Sequence, residues 1–265
     1  MSLWGKLRDL LPGTADPGDG ACPMPEKPVV VVGDVHGRAD LLDQLLARID
    51  SWATEQRIDG HHTVFVGDYI DRGDDAAGVL DRVSALHEAN PERVTCLMGN
   101  HERMMLDTLD DPQGRGPRWL RYGGLQTLAS YRVGGLTASS APELIEDAAG
   151  RLRDTLPEGL EGWLRGLPMA WESGDVHVVH AAADPSLGMD DQPDNVLLWG
   201  SEDFLKRPRD DGLWVVHGHT IVDEPQVVRR RIAVDTGAYY SGALTAAVIL
   251  PGEPVRFLAT GPGGA

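Results

Sequence analysis

Three times in the first half of the chain, a short apolar run stops at a polar cluster and gives way to a helical pattern. PVVVV (28–32) ends at Gly33-Asp34, and in the ADLLDQLLARIDSW that follows, Leu41, Leu42, Leu45, Leu46 and Ile49 recur at helical spacing. HTVFV (62–66) ends at Gly67-Asp68 and precedes a helical pattern over 78–89. RVTCLM (93–98) ends at GNHE and precedes RMMLDTL (103–109). Runs this short and continuously apolar suit strands covered on both faces, as in a parallel sheet. Repeated strand–loop–helix units predict an α/β fold, with each polar cluster just past the C-terminal end of a strand. Such sheets hold their ligands there.

The middle of the chain, about 119–167, reads as a helical insertion, with helical signals over 124–131, 142–156 and 160–167. Strands return at DVHVVHA (175–181), LWVVHGH (213–219), QVVRRRIAVDTG (226–237), ALTAAVIL (243–250) and VRFLA (255–259). The last three, separated by turns, predict an antiparallel meander. Residues 1–27 read as a short helix, with Leu3, Trp4, Leu7, Leu10 and Leu11 on one side, and a Pro-, Gly- and Asp-rich linker. Residues 28–265 form the main domain.

Composition narrows the partners. Of 265 residues, 42% are apolar and 25% charged, the proportions of an ordinary globular protein. No apolar run approaches the roughly 18 residues of a membrane span, and the N-terminus lacks a long apolar leader segment. Cys22 and Cys96 make neither a disulfide framework nor a CxxC metal site. A cytoplasmic location is expected. With 24 Lys+Arg against 41 Asp+Glu the net charge is −17, which argues against nucleic-acid and membrane partners. The sequence leaves the oligomeric state open.

The strand ends carry the chemistry. Asp34, His36, Asp68, Asn100, His101, His180, His217 and His219 all fall there. A single strand-end Asp often caps the next helix, and a lone strand His often packs in a core. Eight such residues on one edge point to a metal centre instead, and a mixed carboxylate and imidazole set without thiolates suits Mn, Fe, Zn or Co.

GDVHGR (33–38), GDYIDRG (67–73), GNHE (99–102), His180 and GHT (218–220) resemble, in order and approximate spacing, the phosphoprotein phosphatase branch of the calcineurin-like metallophosphoesterases. WLRYGG (119–124) and DTGAYYSGALT (235–245) are similar to the bacterial and phage serine/threonine-phosphatase-like group. The resemblance runs from about Val29 to Leu250. It implies a sandwich of two mixed β-sheets flanked by helices, with two divalent ions at the strand ends, Mn favoured over an Fe/Zn pair. By the same resemblance Asp34 and His36 bind the first ion, Asp68 bridges, and Asn100, His180 and His219 complete the second. His101 is then the general acid, Asp71 holds its imidazole and Arg72 clamps phosphate oxygens. The implied activity is phosphomonoester hydrolysis on phosphoproteins or phosphopeptides, at Ser/Thr with Tyr as a further class, by in-line attack of a metal-bridging hydroxide.

Two alternatives stand beside it. One is a nucleotide hydrolase similar to the symmetrical diadenosine tetraphosphatases, although those tend to carry Asp where Glu102 stands. The other is a catalytically weak phosphoprotein-binding module, for which a His101–Asp71 pair would serve no purpose.

The chain departs from the phosphatase pattern at three points. Met98 replaces the Arg before the third motif, Gly200 and Ser201 stand where a second phosphate-binding Arg falls, and Ala182 replaces a Gly. Arg38, Arg121, Arg207 and Arg209 are candidates to replace the lost guanidinium. Glu102 is read as structural. His217, on one strand with His219, shares its face and is read as either a partner behind the ligands or a packed residue. Arg121 and Tyr122 are candidates to reach substrate from the helical insertion, with a structural role as the alternative; Tyr239 and Tyr240 are read as packing residues, with the pocket rim as the alternative, His177 as a strand residue, and His61 and His62 as surface residues.

Overall fold

The computed structural model describes residues 20–261; the helix expected near the N-terminus and the first part of the linker lie outside the described residues. Two five-stranded mixed sheets face each other. In the first, β1 (Val29–Val32), β2 (His62–Phe65) and β3 (Val94–Cys96) run parallel, β9 (Thr245–Ile249) pairs antiparallel with β1, and β10 (Arg256–Ala259) pairs antiparallel with β9, giving the order β10-β9-β1-β2-β3. In the second, β5 (Val176–Val179), β6 (Trp214–His217) and β8 (Arg231–Ala233) run parallel, flanked by antiparallel β4 (Ala170–Ser173) and β7 (Gln226–Val228), in the order β4-β5-β6-β8-β7.

Strand periodicity explains why VVVV is apolar throughout. Val29 and Val31 point between the sheets, where they meet Val64, Val66, Val176, Val178, Trp214, Val216 and Ile232. Val30 and Val32 point to the opposite face and pack on Leu42, Leu45 and Ile49 of helix α1 (Ala39–Glu55) and on Val79 and Leu80 of α2 (Ala76–Ala89). Across the second sheet, Val179 and Val215 lie against Leu197 of α8 (Asp194–Trp199) and Phe204 of α9 (Glu202–Lys206). Burying both faces drives these short strands together, each fully covered valine contributing roughly 1.5–3 kcal/mol.

The helical stretch after β3 comprises α3 (Asn100–Asp110), α4 (Pro112–Trp119), α5 (Leu125–Ser130), α6 (Pro142–Thr155) and α7 (Leu160–Arg165). A fifth-residue turn over Leu120–Gly124 joins α4 to α5. Sequence pattern missed α4 because PQGRGPRW holds two glycines and two prolines. It forms because Asp111 caps it by accepting from the Gly114 N–H, a proline starts it, and Gly116 lets it close on Ile145.

The expected meander is corrected. QVVRRRIAVDTG is not one strand: the chain reverses at Arg229 and Arg230, both with φ above +50°, to make the β7–β8 hairpin of the second sheet. ALTAAVIL and VRFLA pair in the first sheet instead. Neither Gly nor Asn stands at the turn, so the sequence does not mark it. No helix among the described residues is long and apolar enough to cross a membrane.

Candidate active site

Asp34 follows β1, Asp68 follows β2, Asn100 and His101 follow β3, His180 follows β5 and His219 follows β6. The facing sheets thus deliver loops from the C-terminal ends of parallel strands to one edge. The loops are held in unusual backbone geometry: His36, Asp68, Asp71, Arg72 and His219 all adopt φ between 46° and 69°, a region costly for residues with a Cβ. Gly67 and Gly99 bring two of the loops into contact, since a Cβ on either would run into the backbone of the other loop.

Glu102 staples this assembly. Its Oε1 accepts from the N–H groups of Tyr69 at 2.8 Å and Ile70 at 3.2 Å, and its Oε2 from those of Asp68 at 2.8 Å and Gly99 at 3.1 Å. Burial, and after it the Asp68 charge, pushes the Glu102 carboxyl up to about 8, while the backbone donors favour its ionised form.

Two donor groups share Asp68. His36, Asp68 and His101 bring one ligand atom each within 4.8 Å of one another, and Asp68, His180 and His219 do the same. The rings are oriented from behind. His36 Nδ1 lies 2.8 Å from the Ile70 carbonyl and His180 Nδ1 2.9 Å from that of Val66, so both rings carry their proton on Nδ1. Their Nε2 lone pairs then face the Asp68 carboxylate at 3.6 and 3.5 Å. Asn100 Oδ1 stands 2.9 Å from His180 Nε2 and 2.8 Å from His219 Nδ1. Burial holds His36 down to about 3 and His219 to about 4, and lowers His180 as well. Lone pairs converging on a buried carboxylate, without protons between them, are the arrangement a cation satisfies. The carboxylates of Asp34, Asp68, Asp71, Glu102 and Asp235 are all buried here. This donor set therefore fits divalent ions.

Asp34, expected to bind the first ion, is buried at the same edge. Both its oxygens accept from the His219 N–H, at 3.1 and 3.2 Å, and its carboxyl feels the charge of Asp235. Burial and then the neighbouring Asp235 charge push Asp34 well above the carboxylate range, and burial lifts Asp235 to about 6. His101 also brings a ring nitrogen within 4.8 Å of His36 and Asp68. Asp68 itself is pulled upward by burial, but the imidazoles of His180, His101, His36 and His219 hold it well below the usual range.

His101 and Asp71 form a pair at 2.6 Å through Nδ1 and Oδ2. With Nδ1 so held, any proton His101 gains or gives sits on Nε2, which lies 3.9 Å from Asp68 Oδ2 and 3.2 Å from Arg72 Nη2. Burial opposes protonation of His101, yet Asp68 and then Asp71 raise its pKa above the ordinary value. The Asp71 carboxyl is raised by burial, against the pull of the His101 hydrogen bond. Arg72 lies over the Tyr239 ring at 5.0 Å, and Tyr239 sets its ring against His36 at 5.5 Å. From Arg72 an open cleft of about 370 Å³ runs outward past Arg121, Tyr122, Gly123, Gln126 and Tyr239.

Several expectations change on this geometry. Tyr239, read as a packing residue, lines the cleft. His217 does not share the face of His219: β6 ends at His217, His219 turns to φ 59°, and His217 packs against Phe204 with Nδ1 on the Gly218 carbonyl. His62 is half-buried, stacked on Trp171 and bonded to Thr95. Of the candidate replacement arginines, Arg38 pairs with Asp40, Arg207 with Asp203 and Arg209 with Asp211, whereas Arg121 lines the cleft with Arg72. Asp235, Trp119 and Thr127 carried no assigned role from sequence. The first two lay in the WLRYGG and DTG segments, the only signal that pointed to them.

A dinuclear donor set at the edge of two facing mixed sheets, with a histidine–carboxylate pair and an arginine beside it, defines a metal-dependent phosphoesterase. The chain belongs to the calcineurin-like phosphoesterase family, whose model matches residues 27–223. It is 28% identical over 234 residues to an asymmetrical bis(5'-nucleosyl)-tetraphosphatase, PrpE, of Geobacillus thermodenitrificans, covering 82% of this chain and 88% of the relative. It is 36% identical to the serine/threonine-protein phosphatase 6 catalytic subunit of Drosophila melanogaster, but over only 75 residues, 28% of this chain and 23% of the relative. Its fold matches that of a solved structure described as a candidate diadenosine tetraphosphatase, with a TM-score of 0.59, 21% identity and coverage of 89% and 95% of the two chains.

These findings correct the activity expected from the motifs. The sequence likeness to the protein phosphatase covers a short segment, whereas the sequence likeness to the tetraphosphatase covers most of the chain; a solved protein tyrosine phosphatase shares the fold over 97% of this chain at a TM-score of 0.54, which shows the fold alone. The shared motifs make the metal centre and therefore do not discriminate between substrates. The chain is a metallophosphoesterase.

Proposed function

We propose that the protein hydrolyses dinucleoside polyphosphates at an off-centre phosphoanhydride bond. The observation that carries this reading is the pairing of Arg72 and Arg121 along one open cleft leading from the donor cluster. Guanidiniums spaced along a channel suit a chain of phosphates better than one phosphoryl group on a protein side chain. The asymmetrical relatives that align over more than four-fifths of the chain support it, and they shift the nucleotide alternative from symmetrical to asymmetrical cleavage.

The proposed ligands are Asp34, His36, Asp68, Asn100, His180 and His219; divalent ions held there would supply Lewis acidity toward phosphoryl oxygens and water. The rest falls to the chain. Arg72 orients the phosphoryl group under attack. The anhydride P–O bond breaks as the oxygen of water forms the new P–O bond and releases a proton to solvent, and the departing phosphate oxygen takes a proton from His101 Nε2, which solvent then restores. Asp71 keeps that ring aligned and stabilises its protonated form. On diadenosine tetraphosphate the reading requires AMP and ATP as products. Chromatography of the initial products tests it: two ADP, or no nucleotide product with metal present, would refute it.

A further inference from the structure

We propose that Tyr122, held by Arg118 and Trp199, is a nucleobase-stacking platform at the outer end of the catalytic cleft. The proposal rests on the nucleotide reading and names how such a substrate is gripped. The cleft has two distinct ends. At the inner end, Arg72 stands beside His101. At the outer end is Tyr122, 54% exposed, one of few large apolar side chains so open to solvent among the described residues.

An exposed tyrosine ordinarily samples several rotamers, but this one has a support. The Arg118 guanidinium lies over the Tyr122 ring at 5.9 Å and over the Trp199 ring at 4.2 Å, bridging the end of α4 to the end of α8. The half-buried Trp199 packs on the main core, so the stack is fixed from the body of the protein outward. The ring area of Tyr122 that remains exposed offers a flat π surface, and a purine matches it because every base presents a π face. Gln126, on the same cleft wall, carries an amide able both to donate to and to accept from a base edge. Arg121 is anchored by its Nε on the Pro117 carbonyl and lines the same cleft, where its guanidinium is available to phosphates.

The platform also accounts for a departure from the phosphatase pattern. Gly200 and Ser201 withhold the second arginine, and a stacked base supplies binding free energy that a second guanidinium would supply to a bare phosphoryl group.

The test uses the full chain with Mn²⁺ and two substrates sharing the anhydride, diadenosine tetraphosphate and inorganic tripolyphosphate. It compares wild type, Tyr122→Ala and Tyr122→Phe, with ADP binding measured separately by calorimetry. For Tyr122→Ala, KM for the dinucleotide should rise about tenfold more than KM for tripolyphosphate, the order of one lost base–aromatic stack. ADP affinity should fall by a similar factor, and Tyr122→Phe should recover both. Equal losses on the two substrates, or ADP affinity unchanged in Tyr122→Ala, would overturn the platform. Absence of dinucleotide turnover in wild type would overturn the hydrolase reading alone, because ADP binding still decides the platform.

Discussion

The indole Nε1 of Trp119 lies 2.9 Å from Oδ2 and 3.1 Å from Oδ1 of Asp71, straddling the carboxylate that holds His101. Thr127 adds a second clamp: its hydroxyl donates to Asp71 Oδ1 at 2.5 Å and accepts from the Asp71 N–H at 2.9 Å. A buried carboxylate with three side-chain donors has one orientation available, so the helical segment after β3 aligns a pair formed by other loops. Thr127→Val removes the hydroxyl at nearly constant volume. It should lower kcat about tenfold, the order of one hydrogen bond to a charged group, with KM changed less than threefold. Equal kcat for variant and wild type would show that Asp71 needs no such clamp.

Gly123 sits at φ 120° where α4 turns into α5, and a Cβ there would come within 2.8 Å of the Arg72 nitrogen and 3.0 Å of the Asp71 Cβ. Gly123→Ala should cost about 1–3 kcal/mol of stability from backbone strain and displace the Arg72 loop, with a larger loss in kcat/KM than in stability. Gly134→Ala, with nothing within 4 Å, is the control. Thermal melts and steady-state kinetics on both variants separate the two effects.

Asp68 serves both donor trios, so its removal should empty both. Saturating Mn²⁺ at 100 times its Kd should stabilise wild type by about 2.7 kcal/mol per site through mass action. Asp68→Asn should show no metal-dependent rise in melting temperature and no high-affinity heat of binding. Two equivalents bound by the variant would rule out a shared bridging carboxylate.

Cys96 is buried in β3, and burial pushes its thiol up to about 12. The reactive thiolate is the deprotonated form, so its fraction rises with pH and is still only about 1% at pH 10. One thiol, Cys22, should therefore react with a disulfide reagent in the native protein from pH 7 to 10, and a second only on unfolding. Two fast thiols at pH 8 would contradict the buried placement.

Much of this architecture is legible in the chain. Strand-length apolar runs ending at Asp34, Asp68 and Asn100 mark three parallel strands, and the motif histidines mark the edge where the loops meet. What the sequence hides are interactions set by tertiary geometry. Trp119 and Thr127 are eight residues apart and both reach Asp71 across the kink at Gly123. The β7–β8 turn is hidden because two arginines, not glycine or asparagine, take the positive φ. Tyr239 reads as packing because nothing local shows that the DTG turn sets its ring on Arg72. Substrate class is hidden for a related reason: the metal-binding motifs are common to ester and anhydride hydrolysis, and the discriminating side chains lie on the cleft wall.

The most direct test of the account is the ratio of kcat/KM for diadenosine tetraphosphate to that for a phosphoserine peptide. It would be measured on Mn²⁺-loaded protein with Asp68→Asn as the blank. The account predicts metal-dependent formation of AMP and ATP, lost in the blank, with the dinucleotide favoured at least about tenfold, the margin that stacking of one base provides. Preference for the phosphopeptide, with inorganic phosphate as the main product, would contradict it.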